Sequence, residues 1–298
     1  MKTRKIALME GVTAGILFGT AAIFIRFLGS LDVFSIAFWR LIIACIVLAA
    51  ILLTTGELSS VRLMRNSLLR LFFLGVFLGF HFLLFVSAVK DTTILNATVL
   101  VNTAPIFSAI LSTFLFKLKP SRLAILGIAI SIIGASIIAY AEAGVLNTGS
   151  AEASPTLKGD FEAILAAFVE ALYLNYGKKI REENAIFPTI IPIYVFAALT
   201  IGVLSPLGSS ALSTIPTEAG LILPLLGLGV LPTAVAHTLY FSSLSGLRSF
   251  ETATMALLEP VGATCLGIIL FKEVPQPLFA LGTSFILLGI VFVALRKS

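Results

Sequence analysis

The sequence predicts an all-α polytopic membrane protein with ten transmembrane helices, arranged as two inverted repeats of five helices each. Composition is the first observation behind this prediction: of 298 residues, 58% are hydrophobic and only 12% are charged. A soluble protein of this size carries roughly 25% charged residues. Because so few charges cannot cover the surface of a globule, the lipid bilayer is the expected solvent and a partner of this chain.

Ten apolar windows are the second observation, because about 20 apolar residues cross the hydrocarbon core of a bilayer. The windows cover roughly residues 6–27, 34–54, 68–89, 92–116, 121–140, 161–177, 187–207, 220–244, 250–271 and 277–295. The first window is too long for the apolar core of a signal peptide, so it is interpreted as the first helix. The longest connection, at about 141–160, is small, polar and rich in Gly and Ser, which is typical of a linker.

Internal repetition is the third observation. The segment that begins at His81 (HFLLFVS) recurs 156 residues later at His237 (HTLYFSS). A spacing of 155 relates Pro105 to Pro260, Phe116-Lys117 to Phe271-Lys272, Pro120 to Pro275, Gly127 to Gly282 and Gly134 to Gly289. Because each repeat holds an odd number of helices, the second enters the membrane from the opposite side, so the repeats are inverted. The predicted repeats are 1–140 and 159–298, joined by an extracytoplasmic linker at 141–158.

Basic residues predict the orientation in the membrane. With the N-terminus inside, most lysines and arginines fall in inner connections, and only a few fall outside: Arg26, Lys90, Lys158 and Lys272. Both termini are therefore predicted to be cytoplasmic, in a multi-pass protein of the inner or plasma membrane. The net charge of +5 reports this asymmetry, so we expect no nucleic-acid partner.

Three motifs carry a resemblance to a known family. They are Phe38-Trp39-Arg40, the run Asn102-Thr103-Ala104-Pro105, and its counterpart Leu258-Glu259-Pro260-Val261-Gly262-Ala263. With their order and spacing, the chain resembles the drug/metabolite transporter superfamily, specifically the EamA-type ten-helix exporters. The resemblance implies export of amino acids and other small metabolites, although some members import amines. It also implies a central cavity lined mainly by helices 1, 3, 4, 6, 8 and 9.

Ionisable residues within the apolar windows are the candidate site residues, because each costs about 2.5–3.5 kcal/mol at the bilayer centre. Glu259 precedes Pro260 and can cap the kink, bind a cationic group or carry a proton. His81 and His237 can hydrogen-bond a substrate or join helices. No third ligand accompanies the two histidines at a suitable spacing, so no metal site is predicted.

Other polar residues complete the predicted site. Glu170 lies in the middle of helix 6, and Tyr173 follows it at a spacing that puts both on one face. The predicted substrate-binding residues are His81, Glu259, Glu170, His237, Asn102, Tyr240 and Tyr173, and the proton-coupling candidates are Glu259, Glu170 and His81. Arg40, about two turns into helix 2, can snorkel to the outer surface, pair with an acid or attract an anionic group, and snorkelling or structural pairing is the favoured expectation.

The sequence thus predicts a secondary transporter that exports small polar or amphipathic metabolites, such as amino acids, by alternating access and with proton coupling. We expect no cofactor, and a monomer or a weak homodimer. An importer of quaternary or other cationic amines, with Glu259 and Glu170 as counter-charges, is an alternative. A non-transporting membrane scaffold is another. An intramembrane hydrolase is not expected, because the windows contain no Asp and the sequence shows no convincing Ser–His dyad.

Overall fold

The regular structure of the chain is helical throughout its described part. The computed structural model describes residues 3–55, 67–146, 156–207, 212, 216, 218–271 and 277–295. Within these ranges the helical segments group into ten helices: α1 (Arg4–Phe18 and Thr20–Phe27), α2 (Val33–Thr55), α3 (Leu68–Asp91), α4 (Ile94–Val101 and Ala104–Phe116), α5 (Arg122–Leu146), α6 (Leu157–Glu183), α7 (Ile186–Leu204), α8 (Ala219–Leu228, Gly229–His237 and Thr238–Ser243), α9 (Ser249–Met255, Ala256–Leu258 and Glu259–Phe271) and α10 (Pro277–Ala294). The all-α, ten-helix prediction is confirmed.

Eight of these helices are long and apolar enough to cross a membrane on their own length and composition, within the described residues. The other two are α6 and α9. Helix α6 carries Lys158, Asp160 and Glu162 at its first turns, and α9 is interrupted by the 3₁₀ turn Ala256–Leu258. Polar residues and a broken helix are tolerated at membrane depth only where protein or a cavity surrounds them. The interior of the bundle is therefore expected beside both helices.

Two prolines explain interruptions at matching places in the two halves. Pro105 and Pro260 lack the N–H that a continuous helix would donate to the fourth residue before it. Helix α4 accordingly breaks after Val101 and restarts with Pro105 in its first turn, where no donor is needed. In α9 the 3₁₀ turn ends just before Glu259 and Pro260. Both breaks bring polar groups to the middle of the bundle.

Helix α8 is widened into a π-helical segment at Gly229–His237. Pro232 within it provides no N–H for the carbonyl of Leu228. The hydroxyl of Thr233 donates to that carbonyl instead, at 2.6 Å, and the hydroxyl of Tyr194 donates to the carbonyl of Thr233 at 2.9 Å. Such π-helical turns are frequent at functional sites.

Helices α1 and α9 touch backbone to backbone. A methyl group at Gly15 would lie 1.9 Å from the carbonyl oxygen of Met255, and one at Gly262 would lie 2.0 Å from that of Ile16. Such distances leave no room for any side chain. Only glycine at these positions lets the two helices come this close, which brings the break in α9 against the first helix.

Helices α5 and α10 also meet through glycines. A methyl group at Gly127 would lie 2.5 Å from the carbonyl oxygen of Gly289, and one at Gly134 would lie 2.5 Å from that of Gly282. The sequence repeat pairs Gly127 with Gly282 and Gly134 with Gly289, so the contacts are crossed. A two-fold axis between the halves would produce such a pattern.

The crossed contacts support the inverted arrangement of the halves, which stays a prediction together with the boundaries 1–140 and 159–298. Helix α5 continues to Leu146 and α6 begins at Leu157, so both extend into the predicted linker at 141–158. The middle of that linker lies outside the described residues, as does Lys272 of the repeated pair Phe271-Lys272.

Charged residues connect helix ends on the side of the N-terminus. The guanidinium of Arg4 in α1 donates to both carboxylate oxygens of Glu251 in α9, at 3.1 and 2.9 Å, and to the carbonyl of Ala294 in α10 at 3.1 Å. Nearby, the Ser242 hydroxyl donates to Glu10 at 3.1 Å and accepts from Arg181 at 3.2 Å. These contacts hold α1, α6, α8, α9 and α10 together at this end.

Replacement of Glu251 by glutamine is expected to loosen this end of the bundle. The Glu251 side chain is only 4% exposed, so the loss of its charge leaves the Arg4 guanidinium poorly compensated. We expect a loss of about 1–3 kcal/mol in stability. Hydrogen exchange of detergent-solubilised protein should become faster at residues 4–18 and 249–258.

The matched control is Glu182→Gln. Glu182 forms an ion pair with Lys178 at 2.5 Å, but its side chain is 50% exposed. Such surface pairs contribute about 0.3–0.5 kcal/mol. Equal protection in both variants would contradict a special role for the Arg4–Glu251 contact.

Candidate functional site

A cavity lies inside the bundle, lined by residues from both halves of the chain. Every helix that the family resemblance assigned to the central cavity contributes to it, namely α1, α3, α4, α6, α8 and α9, and α2 contributes one residue as well. Its charged and polar lining residues are Arg40, His81, Asn102, Glu170, His237 and Glu259. Phe18, Phe82 and Phe85 provide aromatic walls.

The structure brings five of the seven predicted binding residues to this cavity: His81, Glu259, Glu170, His237 and Asn102. Tyr240 lies just behind the lining and contacts Glu170. Tyr173 is not among the lining residues, and its ring packs against Phe241 with 5.1 Å between ring centroids. Whether any of them binds a substrate stays a prediction.

His81 and Tyr240 both lie beside the carboxylate of Glu170. The Tyr240 hydroxyl donates to Oε1 of Glu170 at 2.7 Å. Nδ1 of His81 lies 3.1 Å from the carbonyl oxygen of Ala166 and 3.9 Å from Oε2 of Glu170. Because a carbonyl oxygen only accepts, Nδ1 carries the proton. Nε2 of a neutral His81 is then an acceptor that is free of these contacts.

The two histidines, which the repeat places at equivalent positions, approach each other across the bundle. Their ring centroids are 6.1 Å apart. His237 is packed by aromatic rings, with centroid distances of 4.6 Å to Phe18 and 4.7 Å to Phe82. Its Nδ1 is buried and has no hydrogen-bond partner among the described residues. His237 therefore combines an apolar environment with one unused polar atom.

Glu259 is the second buried carboxylate of the cavity, with 8% of the residue exposed. Its position follows from the break in α9, because it stands directly before Pro260. Among the described residues, no lysine, arginine or histidine forms an ion pair with it. Two carboxylates, Glu170 and Glu259, thus face one cavity.

Arg40 also lines the cavity, although it was not among the predicted substrate-binding residues. The residue is 1% exposed, its guanidinium carbon lies 4.1 Å from the centroid of the Phe82 ring, and its Nε donates to the hydroxyl of Thr233 at 2.9 Å. The expectation that Arg40 snorkels to the outer surface is wrong, because its side chain points into the bundle. Its contact with Thr233 agrees with the alternative of structural pairing.

Comparison with known proteins gives the family. The model of the EamA-like transporter family matches residues 5–140 and again residues 157–295. The chain belongs to the EamA-like transporter family. The drug/metabolite transporter superfamily suggested by the sequence motifs is thereby confirmed.

Relatives of this EamA-like transporter come from bacteria and archaea. It is 28% identical to the "Uncharacterized transporter YdfC" of Bacillus subtilis (strain 168), over 88% of this chain and 81% of the relative. It is 26% identical to an "Uncharacterized transporter" of Archaeoglobus fulgidus, over 92% of each chain. A solved structure titled "Crystal structure of protein" superposes with a TM-score of 0.79 at 19% identity, over 97% of this chain and 96% of that one, and this likeness concerns the fold alone.

The family defines the broad activity of the EamA-like transporter: it is a multi-span membrane protein that moves a small molecule across a lipid bilayer. Its cavity offers two carboxylates, two histidines, an amide and one guanidinium among aromatic rings. These groups can bind charged and apolar parts of a small molecule at once. A signal for Arg40 was present in the sequence, since it is a cation within an apolar window.

Proposed function

We propose that this EamA-like transporter exports small polar or amphipathic metabolites, amino acids or related compounds, by alternating access. It would reside in the inner or plasma membrane with both termini in the cytoplasm. The observation that carries the proposal is the cavity between the halves, where both buried carboxylates and both histidines of the repeat meet. Transporters of inverted-repeat architecture bind their substrates at such a place.

Each polar residue has a distinct role in this proposal. Glu259 binds the ammonium group of the substrate, because its carboxylate faces the cavity without an ion-pair partner among the described residues. Glu170 adds a second negative charge, held in place by the Tyr240 hydroxyl. Nε2 of His81 accepts a hydrogen bond from the substrate, and Asn102 and the ring of His237 complete the walls.

Proton coupling follows from the same carboxylates. A carboxylate inside a membrane protein is costly unless a cation or a proton neutralises it. Bound substrate ammonium and a bound proton therefore compete for Glu259, with Glu170 and His81 as the nearby proton-accepting groups. Release of the substrate to the outside would favour protonation of Glu259. The protonated protein would then return to the inward-open state. This exchange gives export driven by proton entry.

Alternating access requires that the contacts at the N-terminal side break and re-form. The Arg4–Glu251 and Arg181–Ser242–Glu10 contacts close that end of the helices that line the cavity. With the termini in the cytoplasm, this conformation is closed toward the cytoplasm. The inward-open state would separate α1 from α8 and α9 at this end.

Import of cationic amines is the second candidate function. The acids Glu170 and Glu259 lie among the rings of Phe18, Phe82 and Phe85, and such surroundings suit a cation. The two candidates differ in the direction of transport and in the need for an anionic group on the substrate.

Counterflow in proteoliposomes tests the proposed function. Vesicles with purified protein are preloaded with one unlabelled amino acid or amine, and uptake of the labelled compound is measured. We expect counterflow of at least one amino acid, and a loss of tenfold or more in Glu259→Gln, since a charged hydrogen bond contributes about 1.5–3 kcal/mol. Glu218→Gln is the matched control, because Glu218 is exposed at the start of α8.

Counterflow of amines alone would favour the importer. Full activity of the Glu259→Gln protein would contradict a role of Glu259 in substrate binding. An imposed inward proton gradient should accelerate amino-acid efflux from vesicles with the matching orientation. No response to the gradient would contradict proton coupling and leave binding intact.

A further inference from the structure

Arg40 is a buried cation without an anionic partner in the described part of the chain. The residue is 1% exposed, and no ion pair joins it to a carboxylate there. Its Nη1 is fully buried and has no hydrogen-bond partner among the described residues. Yet Arg40 lines the same cavity as Glu170 and Glu259. A guanidinium that is removed from water without an anion is costly, so some group is expected to compensate it when the protein works.

The guanidinium is held in place by contacts that leave Nη1 unused. Nε donates to the Thr233 hydroxyl at 2.9 Å, and this hydroxyl donates in turn to the Leu228 carbonyl at 2.6 Å. The Thr233 carbonyl accepts from Tyr194 at 2.9 Å. The face of the guanidinium packs on the ring of Phe82, 4.1 Å from its centroid. The π-helical segment of α8 thus supplies the support that fixes the orientation of Arg40.

An immobilised donor binds a ligand with a smaller loss of entropy than a mobile one. Arginine is also the residue that best matches the planar oxygens of a carboxylate. Helix α2 contributes only Arg40 to the cavity, so this helix adds one positive charge to a site that otherwise holds two carboxylates. Positive and negative groups at separate places suit a molecule that carries both charges.

We propose that Nη1 of Arg40 binds the carboxylate of the substrate, and that the substrate is therefore a zwitterion with a free carboxylate. Its ammonium group lies at Glu259 and Glu170, and its apolar part lies among Phe18, Phe82 and Phe85. This inference rests on the proposed function and makes it more specific. Decarboxylated amines and amino-acid amides lack the group that Arg40 requires and are poor substrates.

The test compares ligands that differ only in the carboxylate. Thermal stabilisation of the purified full-length protein is measured with L-phenylalanine, L-leucine and L-threonine, with their carboxamides, and with phenethylamine as the decarboxylated form of phenylalanine. We expect an amino acid to bind about tenfold to a hundredfold more tightly than its carboxamide, which is the range of one charged hydrogen bond. This comparison needs no variant.

Variants then test whether the preference for the amino acid over its carboxamide depends on Arg40. In Arg40→Gln the acid and the carboxamide should bind equally, and Arg40→Lys should restore part of the difference. Thr233→Val keeps the charge but removes the hydroxyl that holds Nε, so we expect a smaller preference there. Arg26→Gln is the matched control, because Arg26 is exposed near the end of α1 and lies outside the cavity lining.

Two results would overturn the inference while the proposed function stands. One is equal binding of amino acids and carboxamides by the wild-type protein. The other is an unchanged preference for the acid in a folded Arg40→Gln protein. If Arg40→Gln does not fold, Arg40→Lys and Thr233→Val carry the comparison. Stabilisation by none of the compounds would overturn the amino-acid proposal itself, and this inference with it.

Discussion

Transport by a Tyr240→Phe protein is expected to fall by about tenfold or more. The Tyr240 hydroxyl donates to Oε1 of Glu170 at 2.7 Å, and both residues are buried. A hydrogen bond to a charged group contributes about 1.5–3 kcal/mol. Its loss leaves the Glu170 carboxylate free to rotate away from the cavity and less well compensated. The effect is measured in proteoliposomes by counterflow of the compound that the wild-type protein transports.

Tyr173→Phe is the matched control for this prediction. Tyr173 is as deeply buried as Tyr240, with 1% of each residue exposed, but its hydroxyl has no hydrogen-bond partner among the described residues. Removal of an unsatisfied hydroxyl costs little and can stabilise a protein. We expect transport close to the wild-type rate. A large loss of transport in Tyr173→Phe would support the sequence-based assignment of Tyr173 to the site.

A Gly15→Ala protein is expected to fold poorly or not at all. The added methyl would lie 1.9 Å from the backbone oxygen of Met255, which cannot move aside as a flexible side chain can. Overpacking typically costs 1–3 kcal/mol, and we expect about 3 kcal/mol or more here because two helix backbones must separate. Thermal unfolding and size-exclusion profiles of the tagged protein in detergent measure the loss.

Gly220→Ala serves as the control for that experiment. Gly220 lies in the first turn of α8, and a methyl there would meet nothing within 4 Å. Alanine is favoured over glycine in helices by about 0.5–1 kcal/mol, so stability should be unchanged or slightly higher. If both Gly15→Ala and Gly220→Ala unfold at the wild-type temperature, the close approach of α1 and α9 at Gly15 is contradicted.

Much of the fold could be predicted from the sequence because membrane segments are defined by local properties. Ten apolar windows gave ten helices, and Pro105 and Pro260 marked the breaks in α4 and α9. The π-helical form of α8 was not predicted. Its carbonyl groups accept hydrogen bonds from side chains of two different helices, Thr233 on α8 and Tyr194 on α7, and such contacts between helices cannot be read from the local sequence.

The candidate site was predictable to a similar extent. Five of the seven residues chosen for their polarity within apolar windows line the cavity, because a polar group at membrane depth needs a protein or solvent environment. Tyr173 was chosen from its helical spacing to Glu170. That spacing puts two residues on one face, but it does not say which part of the face meets the cavity and which meets Phe241.

By itself, the sequence determined that the protein lies in a lipid bilayer, where its helices run, that it contains a repeat and to which family it belongs. Each of these depends on composition or on residues in a fixed order. Only the tertiary structure decided the direction of Arg40. A long side chain near a helix end can reach the surface or turn inward. The outcome depends on Phe82 and Thr233, which lie on α3 and α8 and are brought to Arg40 by folding alone.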